Sequence, residues 1–334
     1  AEQRRLMLEA VSTTVGETVE KTFGVNVRDH LLSPGNAIKF DSREWDYSRQ
    51  CALMDTWDDK LTLNFCDEHP CVCALEIEPI NDAITVYLLG DSTVTDQAGF
   101  FYGTWGQVLP RWFSLPVIVA NHAESGQTAK AFRFQRRWDK VLQTIKPGDY
   151  VIMQFGTNDA KKHGHDAMWP EEDKAGEWEM THSDAMTDFA WALASFAVEA
   201  RRRGAIPVIV SPMTKIDINT GAPNSEPLGL YPDGARAAAK LAGCAYIDLF
   251  GMSLDIVKAL GEDAPKAFAD GTHSGNYGAY LFSRCIAKGL KENGLPLADY
   301  LVDGASEFDP KKPVPALENF NQKADNALPR RPLR

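Results

Sequence analysis

The chain has 334 residues, of which 44% are hydrophobic and 24% charged, and its formal net charge is −11. This is ordinary globular composition with ample core material, and the length suits two structural units better than one. The acidic balance excludes nucleic acid as the main partner, because a phosphate backbone demands a basic face, and no apolar run approaches the roughly 18 residues of a membrane-crossing helix.

The charged start AEQRRLMLEA does not read as a leader peptide, which leaves the compartment open between cytoplasmic and secreted. Oligomeric state is equally open. Before residue 80, RLMLEAV, KTFGVNV, AIKF, KLTLNF and VCALEIE are short runs rich in β-formers, with turn signals SPGN and DEHP among them. They predict a small all-β, sandwich-like segment over residues 1–80. Five strands are few for a closed sandwich, so either the natural chain extends further toward its N-terminus or this is a small sheet packed on its neighbour.

Six cysteines, Cys51, Cys66, Cys71, Cys73, Cys244 and Cys285, are expected as free thiols in a chain this large. Cys66, His69, Cys71 and Cys73 offer four zinc-type ligands, but PCVCALEIEP alternates like a strand, and no metal is expected there.

From residue 83 the pattern changes. ITVYLLG, VIVANHA, YVIMQFG, IPVIVSP and AYIDLF are near-continuous apolar runs of the kind found in central strands covered on both faces. Between them lie helical periodicities. Over 128–145, Phe134, Trp138, Val141, Leu142 and Ile145 share one face, and over 184–203 Met186, Phe189, Ala190, Leu193, Phe196, Ala197 and Ala200 do so. The cluster Arg133, Arg136, Arg137 and Lys140 is expected on a solvated helix face. Strand and helix in alternation predict an α/β fold, a doubly wound parallel sheet over 81–304. The connection 160–183, KKHGHDAMWPEEDKAGEWEMTH and its flanks, is too long for a tight crossover and reads as a lid or binding loop. Residues 305–334, with Pro310, Pro313, Pro315, Pro329 and Pro332, form an extended tail.

Ligands of open α/β sheets bind beyond the carboxyl ends of the strands, so the chemistry is sought there. After the first strand comes Gly90-Asp91-Ser92-Thr93. Ser92 at that turn is either a nucleophile with its own N–H facing the crevice, or, with Thr93, a helix cap. After the second, Gly126 in Glu124-Ser125-Gly126-Gln127-Thr128 offers a free N–H before a helix, or is simply a helix-entry glycine. After the third, Asn158 in Gly156-Thr157-Asn158-Asp159 can donate to a developing negative oxygen, or form an Asx turn. Near the end, Asp270-Gly271-Thr272-His273 sets a carboxylate three residues before an imidazole, so that one turn presents both; capping is the alternative. Each pattern is weak alone, but a nucleophile, two further oxyanion donors and an acid–base pair at four tips of one sheet form a consistent ester-cleaving set.

GDST, the glycine of ESGQT, GTND and DGTH match in order the four blocks of SGNH (GDSL-type) hydrolases. YLLGDSTVTDQ, GTWGQVLPRWF, VANHAESGQTAKAF, KPGDYVIMQFGTND and DGTHSGNYGAY resemble, more narrowly, the rhamnogalacturonan acetylesterase group, carbohydrate esterase family twelve, over about 83–300. The segment before it is similar to the β-rich accessory, galactose-binding-like sandwich of some bacterial members. The resemblance implies a three-layer α/β/α, flavodoxin-like SGNH domain. It implies Ser92 as nucleophile, Asp270 and His273 as acid–base pair, and Ser92 N–H, Gly126 N–H and the Asn158 amide as oxyanion donors. The implied activity is removal of O-acetyl groups from plant cell-wall polysaccharide or its oligosaccharides, with rhamnogalacturonan or pectin favoured and xylan possible. No cofactor, metal, nucleic acid or membrane partner is implied. Asp91, Thr157, Gln127, His163, His165 and Trp105 are candidate substrate contacts, with core or surface packing the favoured role for Trp105. The chain departs from the family in carrying Thr157 where histidine is common and Gln127 where arginine often follows the glycine, which bears on the substrate cleft. Alternatives are a lipase or thioesterase of the same superfamily, or carbohydrate binding by residues 1–80. An α/β-hydrolase is disfavoured because Gly251-Met252-Ser253-Leu254-Asp255 lacks the final glycine of its motif, and a dinucleotide-binding protein because GDSTVT does not fit the glycine fingerprint.

Overall fold

The computed structural model describes residues 6–8, 11–38, 60–63, 65, 71–97, 102–161 and 184–316. A five-stranded parallel sheet organises them, built from β3 (Ile84–Gly90), β4 (Val117–Asn121), β5 (Tyr150–Gln154), β6 (Ile206–Val210) and β7 (Ala245–Ile247) in the spatial order β4-β3-β5-β6-β7. The chain reverses its direction of growth across the sheet after β4, so the switch point lies between β3 and β5. This is the flavodoxin-like order, which opens a crevice at that point, beyond the carboxyl ends of the strands.

Alternation along each strand feeds two cores. Val86 and Leu88 of β3, Tyr150 and Ile152 of β5, and Val208 and Val210 of β6 face one core, where they meet Trp105 of α1 (Trp105–Val108), α6 (Leu249–Leu260) and α7 (Asn276–Glu292). Tyr87, Leu89, Val151, Met153 and Ile209 face the other. There they meet α2 (Ala129–Phe134), α3 (Arg137–Thr144), α4 (Ala190–Arg202) and α5 (Tyr231–Ala242). Both faces are covered, which is why these strands are apolar without interruption. The result is the expected three-layer α/β/α fold.

One expectation needs correction, and another is not confirmed. The periodicity over 128–145 is not one helix: α2 ends at Phe134 and α3 starts at Arg137, with Arg136 between them in the left-handed region at φ 64°. The break rotates the second half. Phe134 is consequently exposed, while Arg137 and Lys140 of the supposed solvated face are buried. Arg137 lies 3.8 Å from Glu124, and the Lys140 ammonium is 3.0 Å from Asp29 and donates to the Leu31 carbonyl.

The all-β reading of residues 1–80 is the second. Among the described residues it reduces to one hairpin, β1 (Leu31–Ser33) against β2 (Asn36–Ala37), turning at SPGN. Residues 21–27 and 72–78 join no strand among the described residues, and residues 39–59 lie outside the described set. The described part instead follows the larger sheet. Leu6 N–H donates to the Gln107 carbonyl, Gln143 donates to the Leu32 carbonyl, and Arg28 is buried against Asp96 and the Asn121 carbonyl. Asn121 in turn donates to Asp96 and to the Val94 carbonyl, so Arg28 fastens the early chain to the loop that carries Ser92.

Candidate active site

Four segments meet at the carboxyl end of the sheet. Beyond β3 the chain makes one helical turn rather than a helix, with Val94 and Thr95 N–H both donating to the Asp91 carbonyl. Gly90 leaves no room for a side chain, since a Cβ there would lie 2.6 Å from the Gln154 carbonyl oxygen and from Val94. That tight passage brings Ser92 onto the sheet end, with its side chain pointing at His273: Oγ and Nε2 are 2.8 Å apart.

On the other side of the ring, His273 Nδ1 is 2.8 Å from Asp270 Oδ2. The second Asp270 oxygen accepts the backbone N–H groups of Thr272 and His273, both at 2.7 Å. Burial pushes the Asp270 carboxyl up, but the His273 side chain and these N–H donors outweigh it and hold the group down at about 2. The carboxylate is therefore charged through the neutral range. It fixes the ring and favours a proton on Nδ1, which leaves Nε2 able to accept the Ser92 proton. Tyr102 stands edge-on to the same ring, with centroids 5.6 Å apart.

The oxyanion candidates lie on the loops that follow β4 and β5. Gly126, at φ 82°, sits in the loop after β4 before Thr128 caps α2. Asn158, in the turn after β5, donates one amide hydrogen to the Gln127 carbonyl at 3.1 Å, which ties it to the Gly126 loop. A carboxamide carries two N–H hydrogens, so a second remains to be offered to a ligand oxygen.

Polar groups beneath the site hold these loops. Asp91 is fully buried and accepts from the N–H and O–H of Thr93, and burial pushes its carboxyl up. Asp159 accepts from Ala129 N–H and Gly156 N–H, joining the Gly126 and Asn158 segments, and burial raises it to about 7. Glu124 accepts from Ser125 N–H and faces Arg137.

Several candidate substrate contacts are buried in this geometry. Trp105 is a core residue: it is fully buried, and its indole N–H donates to Gln154, whose amide continues to Thr93. A sugar cannot reach it. Asp91, Thr157 and Gln127 are likewise buried, with Gln127 donating to Gln135. His163 and His165 lie outside the described residues. Among the described residues no group of three or more potential ligands could hold a metal ion. Sequence reasoning missed Tyr102, which no motif marks.

The sequence model of the GDSL-like Lipase/Acylhydrolase family matches residues 88–280. A rhamnogalacturonan acetylesterase of Bacillus subtilis is 31% identical over 242 residues, which are 66% of this chain and 94% of that protein. A rhamnogalacturonan acetylesterase of Emericella nidulans is 26% identical over 245 residues, 71% of this chain and 96% of that protein. Among solved structures, the B. subtilis protein YxiM superposes with a TM-score of 0.53 at 23% identity, over 64% of this chain and 58% of that longer one.

Proposed function

Since the chain belongs to the GDSL-like lipase/acylhydrolase family and is a carboxylic ester hydrolase, we propose that it removes O-acetyl groups from plant cell-wall carbohydrate, with Ser92 as nucleophile. The observation that carries this reading is the unbroken hydrogen-bonded line Ser92–His273–Asp270, both links at 2.8 Å. The acetyl group and the carbohydrate class are inferred from the named acetylesterases to which the chain is similar.

In the proposed cycle Ser92 Oγ bonds to the ester carbonyl carbon while His273 Nε2 takes its proton. The carbonyl oxygen becomes an oxyanion and accepts from Ser92 N–H, Gly126 N–H and the second hydrogen of the Asn158 amide. Such donors are already oriented before charge develops, and losing one typically costs about 10²–10³ in rate. Collapse breaks the bond to the sugar oxygen, which receives the proton from His273. A water then gives its proton to His273 and attacks the acetyl-serine. Acetate leaves, and the proton returns to Ser92.

The test is acetate release from acetylated rhamnogalacturonan, acetylated xylan and p-nitrophenyl acetate, each with the wild type and Ser92→Ala. We expect release from at least one acetylated polymer and its loss in the variant. Equal release by both proteins, or hydrolysis of long-chain esters in preference to any acetylated carbohydrate, contradicts the proposal.

A further inference from the structure

The His273 ring is bonded at both ends, to Ser92 Oγ at Nε2 and to Asp270 Oδ2 at Nδ1, each at 2.8 Å. Two such bonds fix where the ends of the ring lie. They restrain its roll about the line between them only weakly. A third contact adds that restraint. Tyr102 meets the imidazole at an interplanar angle of 87°, with centroids 5.6 Å apart, in the edge-to-face arrangement that aromatic rings prefer.

The neighbours of Tyr102 in the chain seat it there. Gly103 N–H donates to the Ser274 carbonyl at 3.0 Å, and the Ser274 hydroxyl donates to the Gly103 carbonyl at 2.7 Å. A Cβ on Gly103 would lie 3.0 Å from Asn276 Cα, so the two segments touch backbone to backbone. One residue further, the Thr104 hydroxyl is 2.9 Å from both the Val94 and the Thr95 carbonyl. The chain at Tyr102 is thus fastened to the residues that follow His273 and to the turn that follows Ser92. Tyr102 is 36% exposed, so most of its surface is already spent on protein.

The contact matters most when one of the two ring bonds is gone. Once Ser92 carries the acetyl group, its Oγ has no hydrogen to share, and the departing sugar oxygen has taken the proton from Nε2. The ring then keeps Asp270 alone, at the stage when Nε2 must meet the incoming water. Misalignment of a reacting group lowers the rate directly. We infer that Tyr102 is a positioning residue for the second half of the reaction, holding the His273 imidazole in line while Ser92 is acetylated. In that half Nε2 takes a proton from water, and the water oxygen bonds to the acetyl carbon. The bond from that carbon to Ser92 Oγ then breaks, Oγ takes the proton from Nε2, and acetic acid leaves. The inference rests on the Ser92 mechanism proposed above.

The test separates the two half-reactions with p-nitrophenyl acetate, which has no sugar to bind. Rapid mixing of the ester with the full chain, and with its Tyr102→Ala and Tyr102→Phe variants, reads acetylation as p-nitrophenol release. Acid quenching and intact-mass measurement after the ester is removed read the loss of acetyl from Ser92. Both are counted per active site titrated with an organophosphonate, so an unfolded fraction drops out. We expect Tyr102→Ala to lose acetyl about tenfold more slowly than the wild type, Tyr102→Phe to stay within about twofold, and acetylation to change less than about threefold in either. In the steady state kcat and KM of Tyr102→Ala should fall together while kcat/KM holds. A merely structural loss would slow both halves alike. Equal slowing of both, or deacetylation unchanged in Tyr102→Ala, overturns the inference. So does a Tyr102→Ala defect confined to KM for acetylated polymer, the mark of a residue that binds sugar. None of these touches the role of Ser92, whereas turnover that survives Ser92→Ala sinks the mechanism and this inference with it.

Discussion

Residues 84–90, ITVYLLG, and residues 72–78, VCALEIE, each hold five apolar side chains in seven, yet they end in opposite states. The first is a strand paired on both sides, to β4 and β5, with Val86, Leu88 and Leu89 fully buried. The second joins no strand among the described residues, with Val72, Leu75 and Ile77 exposed at 50%, 56% and 66%. β-Propensity describes how a residue fits a pleated, half-buried surface, and it is realised only where neighbouring strands and a core exist to receive it. The same contrast runs the other way for charge. Arg28, in the early segment, is buried against Asp96 and helps hold the loop of Ser92, whereas a strand-rich reading gives it no role. The tips of the sheet should therefore govern rate and the early segment should govern stability.

The largest effect expected is on rate. Asp270→Asn keeps the shape of the turn but loses the charge that orients His273, and kcat should fall about 10⁴-fold with little change in melting temperature. A loss under tenfold would break the division, since the tip would then not be setting the chemistry.

The next effect is on stability. Arg28→Met removes the cation that pairs with buried Asp96, and breaking a buried pair from one side costs about 3 kcal/mol or more. That should appear as a drop of roughly 6–12 °C in a thermal melt, with kcat of the folded protein changed far less. An unchanged melt would show that the early segment is an appendage.

The smallest effect sharpens the same comparison. Ile77→Ser at an exposed site should alter stability by no more than about 0.5 kcal/mol, whereas a buried isoleucine truncated in a strand costs several times that. A large loss from Ile77→Ser, read by denaturant titration, would mean that 72–78 is packed after all.

What could be read from sequence follows the same physics. The five strands of the sheet were legible because both of their faces are buried, so their apolar runs are continuous and begin at the observed residues 84, 117, 150, 206 and 245. Ser92, Gly126 and Asn158 stood out in sequence because they sit in short motifs shortly after β3, β4 and β5, and Asp270 and His273 because their spacing lets one turn present both. The helix break at Arg136 was not, because its cause lies in distant contacts: Glu124 draws in Arg137, and Asp29 draws in Lys140. Trp105 stays open between two roles in sequence, because aromatic residues line sugar clefts and cores alike, and its burial with Gln154 as partner of its indole favours the core. Tyr102 carries no motif. Its place depends on the bonds between Gly103 and Ser274, residues far apart in the chain.

The central claim is that Ser92, activated by His273, attacks the ester carbonyl. The most direct measurement treats the protein with an organophosphonate ester and locates the added mass by peptide mapping, with His273→Ala as the control. The account predicts one equivalent of label on Ser92, loss of esterase activity in proportion to labelling, and labelling slowed by orders of magnitude in the variant. Label carried by another residue in step with inactivation, or full inactivation with Ser92 unmodified, would contradict it.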